Sequence, residues 1–152
     1  MNKGYTSKDI LKQCKRLENA GISYGFFYLT GIAGKGNGTE NARISAEIFN
    51  QLHPFLIGPN MLTVYPDSEL YQEIQQGNWQ EEDELEKYRE LRTLVEALDI
   101  STYFAAMGAS NAFQLRGNLP EEKEKLLHTL DKIITGEKEE DLKRYRKNLR
   151  HL

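Results

Sequence analysis

One cysteine, Cys14, stands in the 152 residues, which excludes an internal disulfide and any cluster or metal site built from several thiolates. The three histidines, His53, His128 and His151, are scattered, and none has a Cys, His or carboxylate at a metal-ligand spacing. Neither sign of charge dominates. The formal net charge is −3, acidic and basic residues are interspersed, and the one basic cluster is C-terminal, which argues against a broad nucleic-acid footprint. No apolar run approaches the ~18 residues of a membrane span, and MNKGYTSKD lacks the pattern of a signal peptide. With a lone cysteine besides, the expectation is a cytoplasmic protein.

What is present centres on Ile22 to Leu52. Phe26-Phe27-Tyr28-Leu29, bounded by Gly25 and Gly31, reads as a strand covered on both faces. Gly31, Gly34, Gly36 and Gly38 form a loop, with Thr39 expected to cap a helix over 39–52. Ligands of α/β folds bind at the C-terminal ends of strands, so this loop is the first place to seek a site. The loop fits neither a Walker phosphate loop nor the G-x-G-x-x-G dinucleotide pattern: two residues separate Gly31 from Gly34-Lys35, and Gly36 follows the lysine.

Ahead of the strand, Ile10, Leu11, Cys14 and Leu17 mark one face of a helix over 7–20, capped by Thr6 or Ser7 and stopped at Gly21. Cys14 on that face reads as a small buried hydrophobe. A second strand is expected near 58–64, with Pro59 as a bulge, break or late start. Asp67 or Ser68 caps a short helix ending at Gly77, and 81–98 is the clearest helix; the carboxylates of 81–90 and 121–124 read as solvated helix faces. A third strand is expected near 100–106, then a long loop over 107–119, a helix over 120–134, and a charged segment over 137–150 read as a fraying surface helix. Tyr103 at a strand end, followed by Gly108, Ser110 and Asn111, is either a well-bonded turn or a site in which small residues admit a ligand and an amide orients it. Strands alternating with helices imply a parallel α/β sheet. Three strands leave edges exposed, so the chain reads as a piece of a larger (βα) barrel: a half-barrel over 1–134 and a charged tail over 135–152.

Four segments carry a family resemblance over residues 1 to about 134. MNKGYTSKDILKQCKRLENAGI resembles the region after the third strand of radical S-adenosylmethionine (radical SAM) proteins, and FFYLTGIAGKGNGTENA the strand and loop that follow. LTVYPDSELYQEI is similar to the next strand and its turn. ASNAFQLRGNLPEEKEKLLHTLD looks like the tail of an Fe–S oxidoreductase subgroup related to oxygen-independent coproporphyrinogen oxidases.

The resemblance implies a partial barrel whose parent binds S-adenosylmethionine and a 4Fe–4S cluster held by C-x-x-x-C-x-x-C. That motif is missing here, so no cluster is expected on this chain and no activity in isolation. By position, Leu29 and Gly31 match the strand end approaching adenine, and Met61 and Thr63 the next strand. Tyr103 and Asn111 are substrate-side candidates. Phe27 stands where coproporphyrinogen relatives often carry an aspartate. The partner implied is the missing N-terminal half-barrel, or a second copy pairing through the sheet edges. Two other readings stay open: a non-catalytic dimerisation module, and a stand-alone nucleotide-binding α/β domain using Gly31 to Thr39.

Overall fold

A computed structural model describes residues 4–149. The first three residues of the MNKG segment and His151 lie outside them. Among the described residues the order is α1 (Ser7–Asn19), β1 (Gly25–Thr30), α2 (Gly38–Phe49), β2 (Leu56–Met61), α3 (Glu69–Gln75), α4 (Glu84–Ala97), β3 (Thr102–Ala106), β4 (Leu115–Leu119), α5 (Lys123–Gly136) and α6 (Glu139–Lys147). No described helix is long and apolar enough to cross a membrane.

Local chemistry sets most helix ends. Thr6 and Asp9 form a reciprocal capping box on α1, and Gly21, at φ +69°, takes the left-handed position that stops it. Ser68 caps α3, and Asp83 pairs with Glu86 to cap α4. Helix α2 departs from expectation. Asn37 rather than Thr39 is its cap residue, and it makes no side-chain cap bond.

The sheet is open, mixed and four-stranded, ordered β1-β2-β3-β4. The three expected strands run parallel, β1 registering Phe27 on Gly58 and β2 registering Ile57 on Phe104. The fourth corrects the loop assigned to 107–119: residues 115–119 form a strand antiparallel to β3, pairing Leu119 with Thr102 and Leu115 with Ala106. Leu115, Gly117 and Leu119 point inward while Arg116 and Asn118 point out, the period-2 alternation of a half-buried strand. Because β4 covers the free side of β3, the edge strands are β1 and β4. The expected α/β class therefore holds, with a sheet that is not wholly parallel.

Pro59 neither breaks nor delays β2, which starts at Leu56 and runs through it. Tyr103 N–H donates to Phe55 O, so by alternation Ile57 and Pro59 also turn their backbone toward β3. The β2–β3 ladder stops at Ile57, before the residue that has no N–H to give. The unused Pro59 carbonyl accepts a bond from Asn111 Nδ2 at 3.1 Å.

Helices α2, α4 and α5 pack in a row against one face of the sheet. Tyr28, Ile57 and Phe104 from the strands meet Leu91, Leu94 and Leu130 from the helices there. Each such burial is worth roughly 1.5–3 kcal/mol. The other face carries Phe27, Leu29, Leu56, Asn60, Tyr103 and Ala105, all at least partly exposed, with Phe27 at 83%. The last helix does not stand apart as a surface element. Leu142 is buried, and Arg146, one turn further on the same face, is drawn inward.

Candidate functional site

At the C-terminal ends of β1 and β2 lies a cleft of about 930 Å³, bounded on its far side by α3. Leu29, Met61 and Thr63 line it, joined by Ile32, Asn60 and Ser110. Apolar side chains such as Leu29, Ile32 and Met61 share its wall with polar ones, Glu69 and Glu73 of α3 among them.

The other three predicted residues sit elsewhere. Gly31 is buried and turned toward α4: its N–H donates to Glu90 Oε2 at 2.6 Å, and the Lys87 stem lies 3.1 Å from where a β-carbon would stand. At φ +90°, Gly31 occupies a conformation glycine alone adopts readily. Tyr103 lies on the uncovered sheet face, not among the cleft residues, and is 37% exposed. Asn111 is buried beside the cleft, holding the Pro59 carbonyl. Cys14 is buried on α1 and lines a different groove, of about 770 Å³, between α1, α2 and Phe27. Burial pushes its thiol pKa up, with the Glu18 charge adding to the effect, so it stays protonated near neutrality.

Arg146 escaped the sequence reading. Its guanidinium donates to Leu62 O, to Ser110 O at 2.8 Å and to Thr63 Oγ1 at 3.4 Å, and lies 3.4 Å from Glu84 Oε1. One side chain thus ties the end of β2 to the 108–111 loop and to α4. Its spacing from Leu142 is the signal that could have found it. Arg146→Ala strands two carbonyls and leaves the nearly buried Glu84 with one cation fewer. The expected loss is about 2–3 kcal/mol, read as a lower denaturation midpoint together with faster amide exchange over 62–64 and 109–111.

The carboxylates of 81–90 are not a solvated face. Glu82, Glu84 and Glu90 are buried, as is Lys87. Glu90 accepts from Tyr28 OH at 2.5 Å, Gly31 N at 2.6 Å and Asn41 Nδ2 at 3.1 Å. Lys87 Nζ donates to Glu81 at 2.7 Å and Glu84 at 2.9 Å. Burial raises the Tyr28 hydroxyl pKa, with the Glu90 charge next in size. Glu82 stands at the mouth of α2, so close that a β-carbon on Gly38 would overlap its carboxyl group.

The glycine loop is therefore held by α4 and its lead-in, and the buried Glu82 and Glu90 beside it make it a poor cradle for a phosphate. Lys35, at the loop tip, reaches Asp83 at 3.0 Å in an exposed pair of small energetic weight. Among the described residues no group of three or more His, Cys, Asp or Glu is arranged to hold a metal ion.

What the fold and site define is an α/β protein with a mixed open sheet and a cleft at its parallel strand ends. Scanned against protein-family models, the chain matches none, and no curated protein matches it.

Proposed function

We propose that this chain is the C-terminal portion of a radical SAM barrel of the Fe–S oxidoreductase type, supplying the adenosine and substrate walls and inactive alone. The observation that carries this reading is the unfinished sheet. Among the described residues, three parallel strands end at an unpaired β1 edge, and the face bearing Phe27, Leu56 and Tyr103 has no helical layer over it. Parallel strands are ordinarily covered on both faces, so such a sheet is consistent with the inner wall of a barrel closed by further strands. Leu29, Met61 and Thr63 around one cleft fit the adenine-facing positions of that family.

The cleft residues suit S-adenosylmethionine: aliphatic side chains for the base, and Thr63, Asn60 and Ser110 for polar substituents. They do not suit an iron–sulfur cluster, because Cys14 is the one cysteine and does not line the cleft. In the parent family the cluster and S-adenosylmethionine together supply hydrogen-abstraction chemistry. No such step is assigned to this chain, whose own residues would pack against the adenosine and exclude water from it. The cytoplasm is the compartment that suits this reading.

The partner proposed is the complementary N-terminal half-barrel, seated on the β1 edge. A second copy at the same edge is the rival, favoured by the apolar groove along Phe26, Phe27, Ile44 and Ile48. A stand-alone nucleotide site at Gly31–Thr39 is disfavoured by the acids already there. An amide chemical-shift titration with S-adenosylmethionine separates these readings. We expect saturable shifts at Leu29, Met61 and Thr63, and Leu29→Glu should weaken binding at least tenfold, a loss of about 1.4 kcal/mol. Shifts confined to 34–39 would favour the nucleotide reading, and no saturable shift in the cleft would remove the adenosine wall. Light scattering as a function of concentration tests the second copy.

A further inference from the structure

Glu82 and Glu90 are 4% and 0% exposed, and their carboxyl groups lie close enough to share a hydrogen bond. Two ionised carboxylates have no hydrogen between them, so such a bond requires a proton. Glu90 already accepts from a hydroxyl, an amide and a backbone N–H, all of which favour its charged form. Glu82 keeps one oxygen, Oε2, with no donor among the described residues. The proton therefore belongs on Glu82.

The pair meets the glycine loop at both ends, Glu90 by a bond from the Gly31 N–H and Glu82 by close contact with Gly38. Between them the loop rests on the irregular lead-in to α4, residues 79–83. Trp79 is packed against Gly34, its Nε1 2.7 Å from where a β-carbon would be, and Lys35 N–H donates to Gln80 O at 2.9 Å. Ile32, inside the loop, lines the cleft.

We propose that the Glu82–Glu90 pair is a proton-operated latch: one shared proton keeps residues 31–38 seated on residues 79–83, and its loss frees the loop and reshapes the cleft mouth. The latch stands whatever ligand the cleft takes. Tyr28 faces the pair from β1, with the uncharged Asn41 and Ser45 from α2. From α4 and its lead-in, Glu86 and Arg89 share a cavity of about 120 Å³ with Glu82, while Lys87 is turned to Glu81 and Glu84. Lys35 and Lys143 are held by Asp83, Arg146 bonds Glu84, and Lys147 lines the neighbouring surface.

Burial, then the Glu90 charge, then the Glu86 charge push the Glu82 carboxyl up to about 8. Burial also raises Glu90, against the donors from Tyr28, Asn41 and Gly31. The folded pKa of Glu82 exceeds its unfolded value of 4.5. Its stabilisation is thus complete below about 4.5 and is lost as pH rises through about 8.

Trp79 is the one tryptophan and sits against the loop, so its fluorescence reports the latch. On the full chain, titrated from about pH 6 to 10, we expect a sigmoidal emission change with its midpoint near 8. Glu82→Gln keeps a donor for Glu90 and cannot ionise, so it should abolish the transition. Glu86→Gln, which preserves the α4 cap, should shift the midpoint toward acid and keeps the test available if Glu82→Gln fails to fold by circular dichroism. A wild-type chain without the transition, a folded Glu82→Gln that retains it, or an unmoved midpoint in Glu86→Gln would each overturn the latch. Amide exchange at Gly31 should accelerate over the same pH range, and an exchange rate showing no more than the intrinsic pH dependence counts against it.

Discussion

Glu90→Ala is expected to cost about 3–5 kcal/mol, the range for breaking a buried charged network from one side. For a chain of this length that corresponds to a fall in melting temperature of roughly 6–20 °C. Three donors lose their acceptor together: Tyr28 OH, Gly31 N–H and the Asn41 amide. Each belongs to a different segment, β1, the glycine loop and α2, so the loss is not local to α4. The residue is fully buried, and water cannot replace the carboxylate without entering the helix–sheet interface. Glu90→Gln should fall between wild type and Glu90→Ala, because an amide oxygen still accepts from some of the donors. Thermal and urea unfolding of the three proteins decide the matter. Equal stability of Glu90→Ala and wild type would mean that the carboxylate holds nothing together.

Lys87→Ala is the second substitution with a large expected effect. Lys87 is a wholly buried cation, and its aliphatic stem supports Gly31 while its ammonium bonds Glu81 and Glu84. Removing it opens a hollow beneath the loop and leaves Glu84 to Arg146 alone. The expected loss is about 3–5 kcal/mol, with part of it arising from the cavity. Lys87→Met separates the two contributions by keeping the stem and removing the charge. Adding Glu84→Gln to Lys87→Met should recover part of the stability, since the buried carboxylate left with Arg146 as its one remaining cation then disappears. A double variant no more stable than Lys87→Met would show that packing, not charge, dominates at this position.

The parts of the fold written in local periodicity were legible. The apolar run Phe26–Leu29 between glycines gave β1, and the three- and four-residue spacing of Leu91, Leu94 and Leu98 gave α4. Strand β4 was not, because its inward residues include Gly117 and it is flanked by the Gly-Ala-Ser-Asn run and Pro120, all turn chemistry. Pro59 misled in the opposite direction. Its missing donor matters only toward β3, and which neighbour a residue faces is decided by pairing rather than by sequence.

The cleft residues Leu29, Met61 and Thr63 could be named because strand ends converge in any parallel sheet. The acids of 81–90 could not, because Glu90 is buried by Tyr28 and Gly31, some 60 residues away in sequence. A cluster of charges reads as surface until distant partners are known. Arg146 is a similar case, its partners Leu62 and Ser110 lying far upstream of the tail that carries it.

Pro59 has one more implication. By withholding a single hydrogen it unzips β2 from β3 after Ile57, and Asn111 enters the seam at its carbonyl. The opening beside Ser110 is thus, in part, the shadow of an absent N–H. A residue with a full peptide group there would let the two strands run on together and evict the 108–111 loop, taking Ser110 out of the cleft wall.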